Sequence, residues 1–315
     1  MIEAEHLTKD YGPNRAVDGV SFDIGRGDIV GLLGPNGSGK TTIMRMLTGF
    51  FAPTAGNCRV AGIDLRIAPI EARRHIGYLP ERVALYPDMG VAGYLAFVAG
   101  LRELGPRTAS AVEEALELCG LADMADRRIG KLSRGYSQRV GIAQAIIHRP
   151  EVLILDEPTV GLDPRQIVEI RNLIRGLAGR STVLLSTHIL PEVSMTCRRV
   201  LILDKGRLVA VDSAAGLSAR THGRGQVRVR VEAEAAEAIA VIEECAGVAA
   251  VSEEGGAVAG VVELLVTSAK GQNSAPVVAS TLTARGWRLH EISPFLMSLE
   301  ELFVEILKDA EGEGR

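Results

Sequence analysis

An α/β fold followed by a smaller α+β domain is predicted by three features of the sequence. Ile29-Val30-Gly31-Leu32-Leu33, Val152-Leu153-Ile154-Leu155 and Val183-Leu184-Leu185-Ser186 are continuous apolar runs, the pattern of parallel strands buried on both faces. The first run enters a glycine-rich loop and then a helical stretch from Lys40 to Leu47. Beyond a polar, glycine-bearing stretch at residues 216–226, strand and helix patterns follow in the order βαββαβ. The length of 315 residues agrees, since a domain averages roughly 150 residues. A hydrophobic content of 47% and a charged content of 23% supply a large core and exclude disorder across the whole chain.

Residues 1–31 read as short strands divided by turns at Tyr11-Gly12-Pro13-Asn14 and Gly25-Arg26-Gly27-Asp28, where glycine, proline and aspartate supply turn dihedrals. From about residue 90 to 148 the pattern is mostly helical, as in Ala111 to Leu118. Val227-Arg228-Val229-Arg230-Val231 alternates as a half-buried strand does. The Ala- and Glu-rich residues 232–245 suit a helix, 247–252 and 257–267 strands, 275–285 a helix, and Trp287 to Ile292 a last strand. That order is the one of a ferredoxin-like domain. Leu299 to Leu307 closes as an amphipathic helix whose stripe fits either core packing or a partner, and residues 311–315 read as a frayed tail.

Composition removes several function classes. Lys and Arg total 35 against 39 Asp and Glu, a formal net charge of −4, so wrapping nucleic acid by charge alone is disfavoured and no nucleic-acid partner is expected. The pairs Arg73-Arg74, Arg127-Arg128 and Arg198-Arg199 read as solvated or structural in such a chain. No run reaches the roughly 18 to 20 apolar residues that cross a bilayer; the longest, Val91 to Leu101, stops at Arg102. Glu3, Glu5 and Asp10 do not make a basic leader, so no signal peptide is expected. Cys58, Cys119, Cys197 and Cys245 are dispersed, which fits a reduced cytosolic chain rather than a disulfide framework or a metal site.

Gly34-Pro35-Asn36-Gly37-Ser38-Gly39-Lys40-Thr41 fits G-x-x-x-x-G-K-[ST]. Its four fixed positions match by chance in roughly 1% of chains of this length, and the strand before and helix after it favour nucleotide binding further. Glycines let backbone N–H groups face a triphosphate without Cβ clashes. The helix N-terminus adds unsatisfied N–H groups and a positive dipole end. In this motif Lys40 reaches the β- and γ-phosphates and the Thr41 hydroxyl ligates Mg²⁺. The run Val152 to Leu155 ends in Asp156 and Glu157, and parallel sheets bind ligands at their carboxyl ends. Asp156 is therefore a candidate to position Mg²⁺. Glu157, expected to leave the strand on the opposite side, is a candidate to take a proton from water. Helix capping by acids also accounts for this segment taken alone, and His188 taken alone equally fits a surface histidine.

Together these residues resemble a known family. Over residues 1–213 the sequence is similar to ATP-binding subunits of ABC transporters. Leu132-Ser133-Arg134-Gly135-Tyr136, followed by Ser137-Gln138-Arg139, resembles the signature LSGGQ. Asp156 and Glu157 match the Walker B aspartate and catalytic glutamate, Gly161-Leu162-Asp163 the D-loop, and Ser186-Thr187-His188 the switch histidine. Tyr11 sits where the family stacks an aromatic ring on adenine, with Val17 near it. The resemblance implies nucleotide contacts from Tyr11, Val17, Gly34, Pro35, Asn36, Gly37, Ser38, Gly39, Lys40, Thr41, Thr42, Ser133, Arg134, Gly135, Tyr136 and Asp163. It implies metal contacts from Thr41, Glu81 and Asp156, and catalysis by Glu157 with His188. Glu81 replaces the usual glutamine, and Arg134 and Tyr136 depart from the signature. Both variations, and the ending Ser298-Leu299-Glu300-Glu301-Leu302-Phe303, resemble the branch serving type-2 exporters, including gliding-motility and multidrug-type ATPases.

The resemblance implies a P-loop NTPase of the ABC type over residues 1–215: a mixed sheet, an antiparallel β subdomain and a helical subdomain at about 85–148. A linker at 216–226 and a C-terminal accessory domain at 227–315 follow. ATP and Mg²⁺ are the implied ligands. A homodimer or heterodimer is implied because each family site takes its phosphate loop and its signature from different subunits, and one chain carries one of each. An integral membrane permease subunit would dock near residues 81–100, where Val83, Leu85, Tyr86 and Tyr94 either make that contact or pack the helical subdomain. The implied role is the ATP-hydrolysing subunit of an exporter, on the cytoplasmic face of the membrane. The rival is a soluble ABC-type ATPase acting as a clamp or factor. The absence of an internal repeat argues against a tandem translation-type member, and the absence of a sustained heptad run between Gly34 and Asp156 against a repair-type one. No Asn precedes a Lys, so the guanine-reading motif of a GTPase is missing.

Overall fold

The computed structural model describes residues 1–213, 215–217, 225–254, 260–269, 272–295 and 299–312. Most of the expected linker, residues 257–259 of an expected strand, Ser298 of the closing motif and residues 313–315 of the tail lie outside the described residues. By contacts the chain divides into two compact units, Met1–Ala214 with Ile306–Arg315, and Ala215–Glu305.

In the first unit β1 (Ile2–Tyr11) and β2 (Asn14–Ile24) pair antiparallel, with Ile2 opposite Ile24 and Tyr11 opposite Asn14. β1 also pairs with β4 (Ala55–Val60), and β4 with β5 (Ile63–Asp64), giving a sheet ordered β2-β1-β4-β5. The second sheet runs β10-β9-β3-β8-β7-β6. It comprises β3 (Ile29–Leu33), β6 (Ile76–Leu79), β7 (Val152–Leu155), β8 (Thr182–Thr187), β9 (Arg199–Asp204) and β10 (Arg207–Ser213). Its pairings are parallel except at the β10 edge. Every residue of β3, β7 and β8 is buried, which is why these strands read as apolar runs without alternation. Because β3 and β7 both flank β8 in parallel, their carboxyl ends emerge at the same edge of the sheet, on either side of β8.

Helices α1 (Lys40–Leu47), α2 (Pro69–Arg74), α3 (Val91–Leu101), α4 (Thr108–Leu118), α5 (Arg134–Ile146), α6 (Pro164–Gly176) and α7 (Leu190–Thr196) surround these sheets. One buried cluster joins both sheets to α1 through residues such as Leu7, Val60, Leu32, Ile43, Leu47 and Leu184. Each such side chain contributes roughly 1.5–3 kcal/mol through burial. No helix among the described residues is long and apolar enough to cross a membrane.

The second unit holds β11 (Gln226–Glu232), α8 (Ala235–Glu243), β12 (Val248–Glu253), β13 (Val261–Ser268), α9 (Ala275–Ala284) and β14 (Arg288–Pro294). Its antiparallel sheet is ordered β12-β13-β11-β14. Val227, Val229 and Val231 enter its core beside Ile242, Leu264 and Leu282, while Arg228 faces outward to Glu263 at 3.0 Å. The helix expected from residue 232 begins at Ala235 instead, because Glu232 still pairs with Val261 and Arg288. The closing helix α10 (Leu299–Gly312) buries Leu302 and Ile306.

Gly77 on β6 lets α5 approach: a Cβ there would lie 2.1 Å from the Ala145 carbonyl oxygen and 2.9 Å from Pro150 Cγ. Gly77→Ala is expected to cost about 1–3 kcal/mol or more by overpacking, read as a lower urea midpoint. Gly93, on α3 with nothing within 4 Å of its added Cβ, is the control. Gly93→Ala is expected to add about 0.5–1 kcal/mol through helix propensity.

Candidate functional site

The chain leaves β3 at Leu33, turns through residues 34–39 and enters α1 at Lys40. Gly39 takes φ +103°, and a Cβ on it would stand 2.6 Å from the Ala16 carbonyl oxygen, so only glycine fits there. The Lys40 ammonium folds back over the loop, donating to the carbonyls of Gly34 at 2.7 Å and Pro35 at 3.1 Å. It lies 3.7 Å from Glu157 Oε1. Burial lowers the Lys40 pKa, against the opposing charges of Glu157 and Asp156. A cavity of about 370 Å³ opens over this loop, lined by Asn36, Gly37, Gly39, Lys40, Thr41 and Thr42 together with Ala16, Glu81, Glu157, Val160 and His188.

β7 ends at Leu155, so Asp156 and Glu157 belong to the turn beyond it. Glu157 takes φ +48°. A left-handed turn therefore separates the two carboxylates, in place of the strand alternation expected from the sequence. Asp156 Oδ1 accepts the Ser186 hydroxyl at 2.6 Å and the Thr41 hydroxyl at 3.4 Å, and the Glu157 amide donates to Ser186 Oγ at 2.9 Å. Burial raises the Asp156 pKa, opposed by the hydrogen bonds from Ser186 and Thr41. Asp156 Oδ2 is buried with no hydrogen-bond partner. An orphaned carboxylate oxygen beside a threonine hydroxyl is a donor set for a hard divalent cation, so these residues fit Mg²⁺. His188 Nδ1 stands 3.0 and 3.2 Å from the Glu157 carboxylate oxygens.

The signature segment lies apart from this cavity. Ser133 caps α5 by accepting the Tyr136 amide at 3.4 Å. A Cβ on Gly161 would stand 2.4 Å from the Arg134 guanidinium carbon, and one on Gly135 2.7 Å from Gln166 Cδ. Gln138 donates to the Pro158 carbonyl at 2.9 Å, and Asp163 caps α6 by accepting the Gln166 amide at 2.9 Å. Arg134 and Gln138 thus pack on the loop that follows Glu157 and Gly135 on α6, and none of residues 133–136 lines the cavity over Lys40. Tyr11 is exposed and meets Phe51 edge-on at 6.1 Å. Val17 is wholly buried behind Gly39. Neither lines the cavity.

Sequence reasoning passed over Glu192 and Thr159. Glu192, on α7 and only 9% exposed, accepts the Thr159 hydroxyl at 2.6 Å and the Thr187 hydroxyl at 3.4 Å. One buried carboxylate thus joins the loop after Glu157 to the loop that carries His188. A lone glutamate on a short helix gives no sequence signal of burial.

A glycine-rich loop between a parallel strand and a helix, with acidic residues at the neighbouring strand end, defines a nucleotide-hydrolysing P-loop protein. A family model described as ABC transporter matches residues 17–160. The daunorubicin resistance ATP-binding protein DrrA2 of Streptomyces coeruleorubidus is 37% identical over 97% of this chain and 94% of its own length. The bacitracin transport ATP-binding protein BcrA of Bacillus licheniformis is 40% identical over 66% of this chain and 68% of its own. Among solved structures, cbiO1 from Clostridium perfringens, part of the ABC transporter complex cbiONQ, matches with TM-score 0.62 and 27% identity over 68% of this chain and 88% of its own. The chain belongs to the ABC transporter ATP-binding family. It is an ATP-binding protein and an ATPase.

Two outcomes are expected. The Asp156 carboxyl titrates above its unfolded value, so ionising it destabilises the nucleotide-free fold once the pH passes about 3.9. Asp156→Asn should therefore raise Tm at neutral pH, by a margin that shrinks as the pH falls toward that value, while abolishing hydrolysis. Glu192→Ala should lower kcat about tenfold or more with KM for ATP nearly unchanged, since it loosens both loops without touching substrate, and Glu192→Gln should recover most of the rate.

Proposed function

We propose that the chain is the energy-coupling subunit of an ABC exporter. In this reading it binds ATP with Mg²⁺, closes against a second ATP-binding subunit, and drives a separate integral membrane permease from the cytoplasmic face. The observation that supports it is a half-built site. Lys40, Thr41, Glu157 and His188 meet around one cavity, whereas Ser133, Arg134 and Gly135 do not line it, and Arg134 lies against Gly161. A γ-phosphate held by Lys40 would lack signature contacts until a second chain brought its own. The names of the two bacterial relatives, one a resistance and one a transport ATP-binding protein, support export.

On closure Ser133 and the N-terminus of α5 would meet the γ-phosphate of the opposite subunit, adding N–H donors and a helix dipole where charge develops. Thr41 and Asp156, with Glu81 beside them, would hold Mg²⁺, which when bound neutralises charge between the β- and γ-phosphates. Glu157 would accept the proton of the attacking water, with His188 orienting its carboxylate and the γ-phosphate. Asn36, Gly37, Ser38, Gly39 and Thr42 would bind phosphate, Tyr11 would stack on adenine, and Val17 would brace the loop from behind. Asp163 and Tyr136 would complete the signature side. We assign residues 1–215 to the ATPase, 216–226 to a linker and 227–315 to an accessory domain. Tyr86, 55% exposed and edge-on to Phe97 at 5.7 Å, is the stronger permease contact. Tyr94, 4% exposed, packs inside the helical region.

Glu157→Gln is expected to keep ATP binding and to cut hydrolysis about 10²- to 10⁴-fold. It should also accumulate an ATP-dependent dimer in light-scattering chromatography. Wild-type turnover in that variant would remove Glu157 from the chemistry. Affinity purification from gently solubilised native membranes should bring a stoichiometric polytopic protein. Recovery from the cytosol alone would favour a soluble clamp or factor.

A further inference from the structure

A second cavity, of about 380 Å³, shares no lining residue with the one over Lys40. Its apolar lining comes from Ala111, Ala115 and Leu118 of α4, Ile146 and Ile147 at the end of α5, and Leu177 just after α6. All of these but Leu118 are buried. Ala111 and Ala115 stand one turn apart on the same face of α4, where longer side chains would fill the space. Protein interiors keep few voids larger than a water molecule. A hollow of this size falls within the range of about 300–1,000 Å³ that small-molecule sites occupy.

The rim of this cavity is charged. Glu114 on α4 accepts from Arg149 Nε at 2.9 Å and Nη2 at 2.5 Å through one oxygen, and from Arg180 Nη1 at 3.2 Å through the other. All three residues line the cavity. Arg149 follows α5 with φ +53°, a left-handed conformation that costs a non-glycine residue and tends to mark a functional constraint. The carbonyls at the two neighbouring helix ends are already used. That of Ile146 accepts the Arg149 amide at 2.8 Å, and that of Leu177 accepts the Arg180 and Ser181 amides at 3.1 and 3.2 Å. The Ser181 hydroxyl donates to the Pro150 carbonyl at 2.6 Å. The spare hydrogen-bonding capacity of the rim therefore lies in donors. Among the described residues Arg149 Nη1 and Arg180 Nε and Nη2 bind no protein group, and two guanidinium charges face one carboxylate.

We propose that this cavity binds a single-chain amphiphilic carboxylate, its head on the spare N–H groups of Arg149 and Arg180 and its alkyl chain against Ala111, Ala115, Ile147 and Leu177. A guanidinium offers five donors and no acceptor, in a fork that matches a carboxylate. The apolar floor then selects an anion with a tail, because burying alkyl groups adds affinity that an inorganic ion lacks. The volume, near the lower end of the range for ligand sites, suits one short chain rather than a two-chain lipid. Glu114 is an internal competitor, since its own carboxylate already occupies part of both guanidinium groups. The cavity lies at the far end of α5 from Ser133 and at the far end of β8 from His188, so this ligand and a nucleotide would not compete for space. The proposal does not require the exporter reading, because the chain alone would bind the ligand.

The test is calorimetric titration of the full chain, without nucleotide, with octanoate kept below micelle-forming concentrations. Saturable binding of one octanoate per chain is expected, with the negative heat-capacity change of apolar burial. Octanol has the tail without the charge and inorganic phosphate the charge without the tail, and each should bind about tenfold or more weakly. R149Q/R180Q should weaken octanoate about tenfold or more and leave octanol unchanged. A111L, which fills the floor and keeps both arginines, should lose octanoate binding. E114Q removes the competing charge and should tighten octanoate severalfold, which a mere packing void would not do. All three variants should hydrolyse ATP at the wild-type rate, which shows that they fold. The absence of saturable binding, equal affinity for octanol and octanoate, or wild-type affinity in R149Q/R180Q, A111L or E114Q overturns the proposal. Tighter binding of inorganic phosphate than of octanoate would indicate a small-anion site and also overturns it. None of these failures touches the copurification test of the permease.

Discussion

The Ser186 hydroxyl ties together the acidic residues of the candidate site. It donates to Asp156 at 2.6 Å and accepts the Glu157 amide at 2.9 Å, so one side chain on β8 fixes both acidic residues that follow β7. It can do so only because β7 and β8 run parallel with Leu155 beside Leu185. The same strand pairs with β3 on its other edge, with Leu32 beside Ser186, which brings the Lys40 loop to the same place. A one-residue slip of β8 would turn Ser186 to the opposite face of the sheet and leave both carboxylates without their shared partner. The apolar packing that fixes this register is therefore also what sets the geometry of the chemistry.

Within that frame the site accepts local instability. Asp156 is buried with one oxygen unsatisfied, Lys40 is buried against carbonyls, and Glu157 holds a left-handed backbone that costs a non-glycine residue. A fold selected for stability alone would place none of these groups this way. Charges buried away from bulk water would be relieved by a bound triphosphate, so in the proposed reading ligand binding and local stability are coupled.

Much of this was legible because its causes are local. The strands β3, β7 and β8 are buried on both faces and so lack polar interruption, and the glycine-rich loop carries its own steric requirement. The β11 alternation likewise follows from a sheet with one covered face. Other elements gave no such signal. β4 is Ala55-Gly56-Asn57-Cys58-Arg59-Val60, poor in strand formers, and exists because β1 pairs with it. β6 contains Gly77, whose missing Cβ is a packing need of α5. The departure of Glu157 from strand geometry and the burial of Glu192 depend on neighbours distant in the chain, which periodicity does not encode. The placement of Tyr11, Val17 and the signature came from family resemblance rather than from residue chemistry.

The contact between Arg134 and Gly161 has a further consequence. Arg134 belongs to the segment that would serve the opposite subunit's nucleotide, while Gly161 lies four residues after this chain's own Glu157. In a closed pair the two nucleotides would not be handled independently. Engagement of Arg134 across the interface would press on the loop that follows Glu157 in the same chain, so occupancy of one site would be felt at the other. Turnover would then rise with ATP more steeply than a single-site hyperbola, the cooperativity arising from one guanidinium seated where a side chain on residue 161 would otherwise stand.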